Sequence, residues 1–277
     1  MDEDERWLWD VQGFLRIPQA LSPELLGRLI HSLDTAPESA RSAKEFEADA
    51  RKANAEGVPR RVDIGGVLEW ERPYSDPFRE LIDHHPVSSR LDDILGEGHR
   101  LDHSPICITM EKGMGGAALH GGGADRGSFI NSSFFKAGKF YTGMVVVVFF
   151  LAPEGPGDGG LGIVSGSHKA ELPMPDSVRG PVHPVEGHSP TFFAAVDEVH
   201  ADAGDCVIFA EAVSHLTLPW HGDHQRRALC THHPTRPPFS PLTPGVRGWQ
   251  STASPPATRI STTPRASRSR SPRGPRA

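Results

Sequence analysis

Leu25, Leu26, Leu29, Ile30 and Leu33 recur at the three-and-four spacing of one helical face. Ser22 ahead of them suits an N-cap, Pro23 fits the first turn, and Glu24 favours the positive end of the helix dipole. The preceding GFLRIP alternates like a short strand. Two more short helices are predicted near Asp76–His84 and Pro86–Leu95, the second stopping at Gly96. The polar, alanine-rich stretch from Ser39 to Arg61 reads as a helix or a mobile loop.

After Gly98 the pattern changes to β. HSPICITMEK alternates, FYTGMVVVVFFLAP reads as a buried strand, and DCVIFAEAVSHLTLPW is a second β-rich stretch, with PEGPGDGGLG as a turn cluster between them. Helices first and short strands afterwards predict a mainly β fold, a jelly-roll or cupin-like barrel supported by N-terminal helices. The longest apolar run, Met144 to Ala152, falls short of the roughly 18 residues of a membrane span.

The pattern stops after residue 231. Residues 232–277 hold ten prolines and eight arginines, with almost no periodic apolar positions, and are expected to be disordered. The change falls directly after RRALC, where a strand should continue, so an out-of-frame origin is also considered. The expected division is therefore a barrel over 1–231 and a tail over 232–277. Charge sharpens it: the net charge of -6, less the tail's +8, leaves about -14 on residues 1–231. A body that acidic is a poor partner for nucleic acid. Three widely spaced cysteines, no basic-then-apolar leader and no membrane span predict a cytoplasmic protein.

Two of the fifteen histidines stand apart by position. His120 opens the glycine-rich turn LHGGGAD, and His215 ends the β-stretch FAEAVSH. A barrel can bring two such distant positions together at its mouth, and imidazole is a common ligand for iron, zinc or copper. Arg226 lies on what should be the next strand, where a guanidinium could hold a dicarboxylate through a bidentate pair. Of Arg226 and Arg227, only one can point inward on an alternating strand. Glu211 also precedes His215, but on an extended strand four residues separate them by roughly 13 Å, so a second-shell or structural role is assigned to it. His168 is read as structural and Asp158-Gly159-Gly160 as a turn. No P-loop, GxSxG or dinucleotide fingerprint is present.

GFLRIPQALSPELLGRLIHSLD, HHPVSSRLDDILG, GDGGLGIVSGSHK and AGDCVIFAEAVSHLTLPW followed by QRR together resemble the phytanoyl-CoA dioxygenase family, in that order, from about Gly13 to Ala228. The resemblance implies a double-stranded β-helix that holds iron(II) with two histidines and one carboxylate and anchors 2-oxoglutarate on an arginine. By matching position, His120 and His215 would be the metal ligands and Arg226 the cosubstrate anchor. It also implies a dioxygenase that hydroxylates a C–H bond of a small organic substrate, with dioxygen as co-reactant. Neither substrate nor oligomeric state is readable.

One part of the family pattern is missing. Where relatives carry His-x-Asp or His-x-Glu, this chain has His120-Gly121-Gly122. Three explanations are open. Asp125 could curl back through the glycines and supply the oxygen; the site could work without a carboxylate, as in related halogenases; or the chain could be a metal-poor, non-catalytic binding barrel.

Overall fold

The computed structural model describes residues 1–40, 61–122, 129–175 and 195–235, all within one compact unit. Its helices are α1 (Glu3–Gln12), α2 (Pro23–Thr35), α3 (Asp76–Glu80) and α4 (His85–Leu95). Its strands are β1 (Phe14–Ile17), β2 (Val62–Ile64), β3 (Ile106–Met110), β4 (Ala117–His120), β5 (Ser133–Lys136), β6 (Lys139–Thr142), β7 (Met144–Phe150), β8 (Gly160–Ile163), β9 (Asp197–Glu198), β10 (Cys206–Ala210), β11 (His215–Leu218) and β12 (Arg226–Pro234).

α2 forms as its sequence dictates. The Ser22 side chain accepts a hydrogen bond from the Leu25 amide, a cap that contributes about 1 kcal/mol, and Leu25, Leu29 and Leu33 are buried. α1 was not expected. Its acidic first turn answers the helix dipole, Asp2 caps the Glu5 amide, and Trp9 is buried against the barrel. Of the ambiguous 39–61 stretch, residues 41–60 lie outside the described residues.

The strands form a six-stranded sheet in the order β1-β10-β7-β12-β3-β2 and a four-stranded sheet in the order β4-β11-β8-β9, all antiparallel. This is the double-stranded β-helix expected from the sequence. β7 lies within the larger sheet, and every residue from Met144 to Phe150 is buried, as a strand covered on both faces requires. Leu161 and Ile163 of β8 join the same core, whereas Leu119 and Leu216 form a small cluster of their own. β5 and β6 make a separate hairpin.

Two expectations need correction. The β-rich stretch from Cys206 through His215, taken as extended when Glu211 was placed, is broken after Ala210 by a tight turn, closed by the Val213 amide on the Ala210 carbonyl at 2.8 Å. The boundary at 231 is also too early. β12 runs on to Pro234, pairing His232 with Val146 and His233 with Val145. Composition marks the tail from His232, but the ladder to β7 holds the next three residues in the sheet. Residues 236–277 lie outside the described residues. Among the described residues no helix is long and apolar enough to cross a membrane.

Two predictions follow from β12. A chain ending at Thr231 should be less stable to thermal unfolding than one ending at Thr235, since it loses the last ladder pairs and the buried His233; a gap on the order of 2 kcal/mol is expected. The second concerns pH. Burial pushes the His232 imidazole down to about 3 and that of His233 down to about 4, with His103 stacked on His232 adding to the effect. Both rings stay neutral in the folded chain but protonate near pH 6.5 once unfolded, so their stabilisation is intact above about pH 6.5 and falls away as pH drops toward 4. Denaturant titrations at pH 7 and pH 5 should show this loss, and His233→Gln should reduce the slope by about one proton.

Candidate functional site

β4 and β11 are neighbours in the smaller sheet, and their register sets His120 directly opposite His215. The two rings lie with centroids 4.0 Å apart. Alternation along β11 turns Leu216 toward the small cluster and His215 and Thr217 to the other face, where His215 packs on Phe209 of β10 at 4.6 Å. The pair therefore sits between the sheets, with His215 buried and His120 at the exposed rim.

The hydrogen bonds of the two rings fix their tautomers. His215 Nδ1 donates to the Val213 carbonyl at 2.8 Å, and His120 Nδ1 donates to the Ala118 carbonyl at 3.0 Å. A carbonyl can only accept, so each Nδ1 carries a proton, and in the neutral ring Nε2 is the nitrogen that can bind a metal. Burial, and after it the neighbouring His120, holds the His215 imidazole well below its ordinary range, which keeps it neutral.

Glu211, expected about 13 Å away, lies beside the pair instead. The turn after β10 folds the chain back, and Glu211 Oε2 lies 3.9 Å from His215 Nε2. The 13 Å separation assumed an extended strand, which the turn removes. One donor atom from each of His120, Glu211 and His215 lies within 4.8 Å of the others. Two imidazoles and a carboxylate suit a first-row divalent metal such as iron(II). The glycines make this packing possible. A Cβ on Gly121 would fall 2.6 Å from the Glu211 carbonyl and 2.5 Å from that of Val213, and Gly121 has a left-handed φ of 76°. At Gly122, where relatives carry the carboxylate, a Cβ would fall 2.1 Å from Ser214 Oγ. A side chain there would have to turn that hydroxyl away, and Gly122 itself has a left-handed φ of 65°. Asp125 lies outside the described residues.

Arg226 lies deeper, on β12. It is the inward member of its pair: Arg226 is 2% exposed, while Arg227 turns outward to Asp34 of α2 at 2.7 Å. Arg226 Nε lies 2.7 Å from Glu154 Oε1 as an ion pair outside hydrogen-bond angles, and its buried Nη1 finds no acceptor among the described residues. A buried guanidinium nitrogen without an acceptor is a place for an added carboxylate. Gly160, opposite Leu218 on β11, abuts Arg226 Nε, so the arginine sits about 10 Å along the strand from His215. Thr217 faces the same interior and accepts from Arg61 Nη1 at 2.7 Å. Neither Arg61 nor Thr217 was singled out from the sequence, where nothing marks them until the fold brings Arg61, just before β2, to Thr217 on β11. His168, by contrast, pairs through Nε2 with the Asp10 carbonyl at 3.1 Å, and the Asp158 carboxylate closes its own turn on the Gly155 amide.

A cleft of about 620 Å³ adjoins the metal-binding group at Gly122. Trp9, Phe134, Phe135 and Phe140 give it an aromatic side, and Asn131 and Lys169 a polar one.

The family model described as phytanoyl-CoA dioxygenase matches residues 9–228. No curated protein sequence matches the chain. Among solved structures, HygX from Streptomyces hygroscopicus with nickel, 2-oxoglutarate and hygromycin B bound superposes with a TM-score of 0.66 at 19% identity, over 84% of this chain and 87% of HygX. The α-ketoglutarate-dependent carbocyclase SnoK of nogalamycin biosynthesis gives 0.56 at 14% identity over 84% of each chain. The epimerase SnoN of the same biosynthesis gives 0.57 at 17%, over 90% of this chain and 93% of SnoN. These likenesses speak for the fold.

If Glu211 is the third donor, Glu211→Gln should weaken nickel(II) binding at least about tenfold in anaerobic calorimetry. Gly122→Asp should not restore it, because Gly122 has a left-handed φ of 65° and its Cβ would have to displace Ser214 Oγ. Wild-type affinity in Glu211→Gln would remove Glu211 from the site.

Proposed function

The chain belongs to the phytanoyl-CoA dioxygenase family of iron(II)- and 2-oxoglutarate-dependent oxygenases, and from that membership we propose that it hydroxylates a C–H bond of a small organic substrate. Its family cofactors are iron(II) and 2-oxoglutarate. The observation that carries the residue assignment is the facing pair His120–His215 with Glu211 beside it. In this reading the two Nε2 atoms and the Glu211 carboxylate hold the metal, and Asp125 is not required. When bound, iron(II) and 2-oxoglutarate supply dioxygen activation coupled to oxidative decarboxylation, giving succinate and carbon dioxide.

The chain's own residues do the rest. Arg226 offers its unused Nη1 to the far carboxylate of 2-oxoglutarate, and Thr217 adds a hydroxyl to the same pocket. Phe209 packs on His215 and keeps that side of the site dry. The cleft beside Gly122 receives the substrate, its aromatic side taking an apolar surface and Asn131 and Lys169 taking polar groups. HygX, SnoK and SnoN are bound to or named for chemistry on natural products, which supports a substrate of that size and polarity. The acidic body gives nucleic acid no reason to bind.

The test is an anaerobic titration of the purified protein with iron(II) and 2-oxoglutarate, followed by their visible charge-transfer band. The band should form in the wild type, vanish in His120→Ala, and need far more 2-oxoglutarate in Arg226→Ala. A folded wild-type protein that gives no band would instead be a binding barrel without turnover.

A further inference from the structure

Glu154 is a carboxylate that the proposed reaction does not use, and it is 1% exposed. It sits after β7, where its backbone bridges to Ala201, and its side chain turns inward to Arg226. The place is built for it. Oε2 accepts from the Leu161 amide at 3.1 Å, and a Cβ on Gly160 would fall 2.1 Å from the same oxygen. Gly160 therefore lacks a side chain where the carboxylate lies. Yet Oε1 meets Arg226 Nε at 2.7 Å without hydrogen-bond geometry, leaving the guanidinium neutralised in charge but poorly used as a donor.

Among the described residues the charges around the pair are few. Glu198 on β9 faces Glu154 with a like charge, and its own oxygens accept from the Gly157 and Gly159 amides. Cys230 lies further along β12, and Asp63 on β2, itself paired with Arg61, faces Arg226. A second carboxylate on Arg226 would leave two buried anions to share one guanidinium. Two carboxylates at one buried site do not both stay ionised, and the one already disfavoured takes the proton. Even with Arg226 beside it, burial holds Glu154 above the ordinary carboxylate range, so of the two carboxylates Glu154 is the one that takes the proton.

We propose that Glu154 is the resting counter-ion of Arg226 and gives up that role as the neutral acid when 2-oxoglutarate binds, so that cosubstrate binding takes up one proton from solvent. This rests on the reading of Arg226 as the cosubstrate anchor. Affinity for 2-oxoglutarate then falls as pH rises through the window between the resting and the bound titration of Glu154, by at most about tenfold per pH unit. Glu154 keeps a buried arginine compensated in the resting protein and makes the distal carboxylate bind in exchange for a charge.

Protein saturated with nickel(II) would be titrated with 2-oxoglutarate by calorimetry, at one pH in two buffers of different ionisation heat, and then across pH. Wild type should take up close to one proton, with weaker binding at higher pH. Glu154→Gln should take up none, bind 2-oxoglutarate more tightly at high pH and show a flat profile. Normal binding by the wild type with no proton uptake overturns the proposal and leaves the Arg226 reading standing. The wild-type count decides this even if the variant fails to fold. No binding of 2-oxoglutarate by the metal-loaded wild type would remove the Arg226 reading and the proposal together.

Discussion

The antiparallel pairing of β4 with β11 is the constraint on which the site depends. It joins segments almost a hundred residues apart and sets His120 opposite His215. A one-residue slip in that register would turn His215 to the outer face and bring Leu216 inward, because side chains alternate along a strand. Leu119 and Leu216 resist the slip, since they form their own apolar cluster on the far face of the smaller sheet. Packing on one face of that sheet thus fixes the chemistry on the other.

The space between the sheets carries an unusual amount of charge for a protein interior. Arg226, Glu154, Asp63 and Arg61 meet there with the two site imidazoles and His232. Burying an ion is costly unless it is compensated, and each of these charges has an opposite within reach. Glycine makes room for them. Gly121 lets the turn after β10 lie against β4, and Gly160 leaves space for the Glu154 carboxylate. Larger residues at either place would push backbone or charge out of position.

A side chain next to the first histidine is strained in this chain, because Gly122 has a left-handed φ of 65° and its Cβ would have to displace Ser214 Oγ. In the proposed reading Glu211 offers the carboxylate from the other side of the same pair of histidines. Metal ligation depends on the donor set and its geometry and not on where along the chain a donor comes from. A donor two residues from a histidine in relatives can therefore be traded for one four residues before the other histidine, provided a turn brings it back.

The sequence alone determined the elements with strong local signals. The capped amphipathic α2, the fully apolar β7 and the stop of α4 at Gly96 were legible because capping, periodicity and glycine act over a few residues. It also marked His120, His215 and Arg226, through their places at strand ends and through the family resemblance. It missed α1, whose hydrophobic face is slight and whose burial comes through Trp9 against the barrel. It placed Glu211 too far from His215, because a β-rich composition does not show where one strand ends and a turn begins. It ended the last strand at 231, although pairing with β7 carries it to Pro234. Which atoms meet was decided by the tertiary structure: register, the turn after Ala210 and the partner of Arg226 are set by contacts between residues far apart in the chain, which local pattern cannot encode.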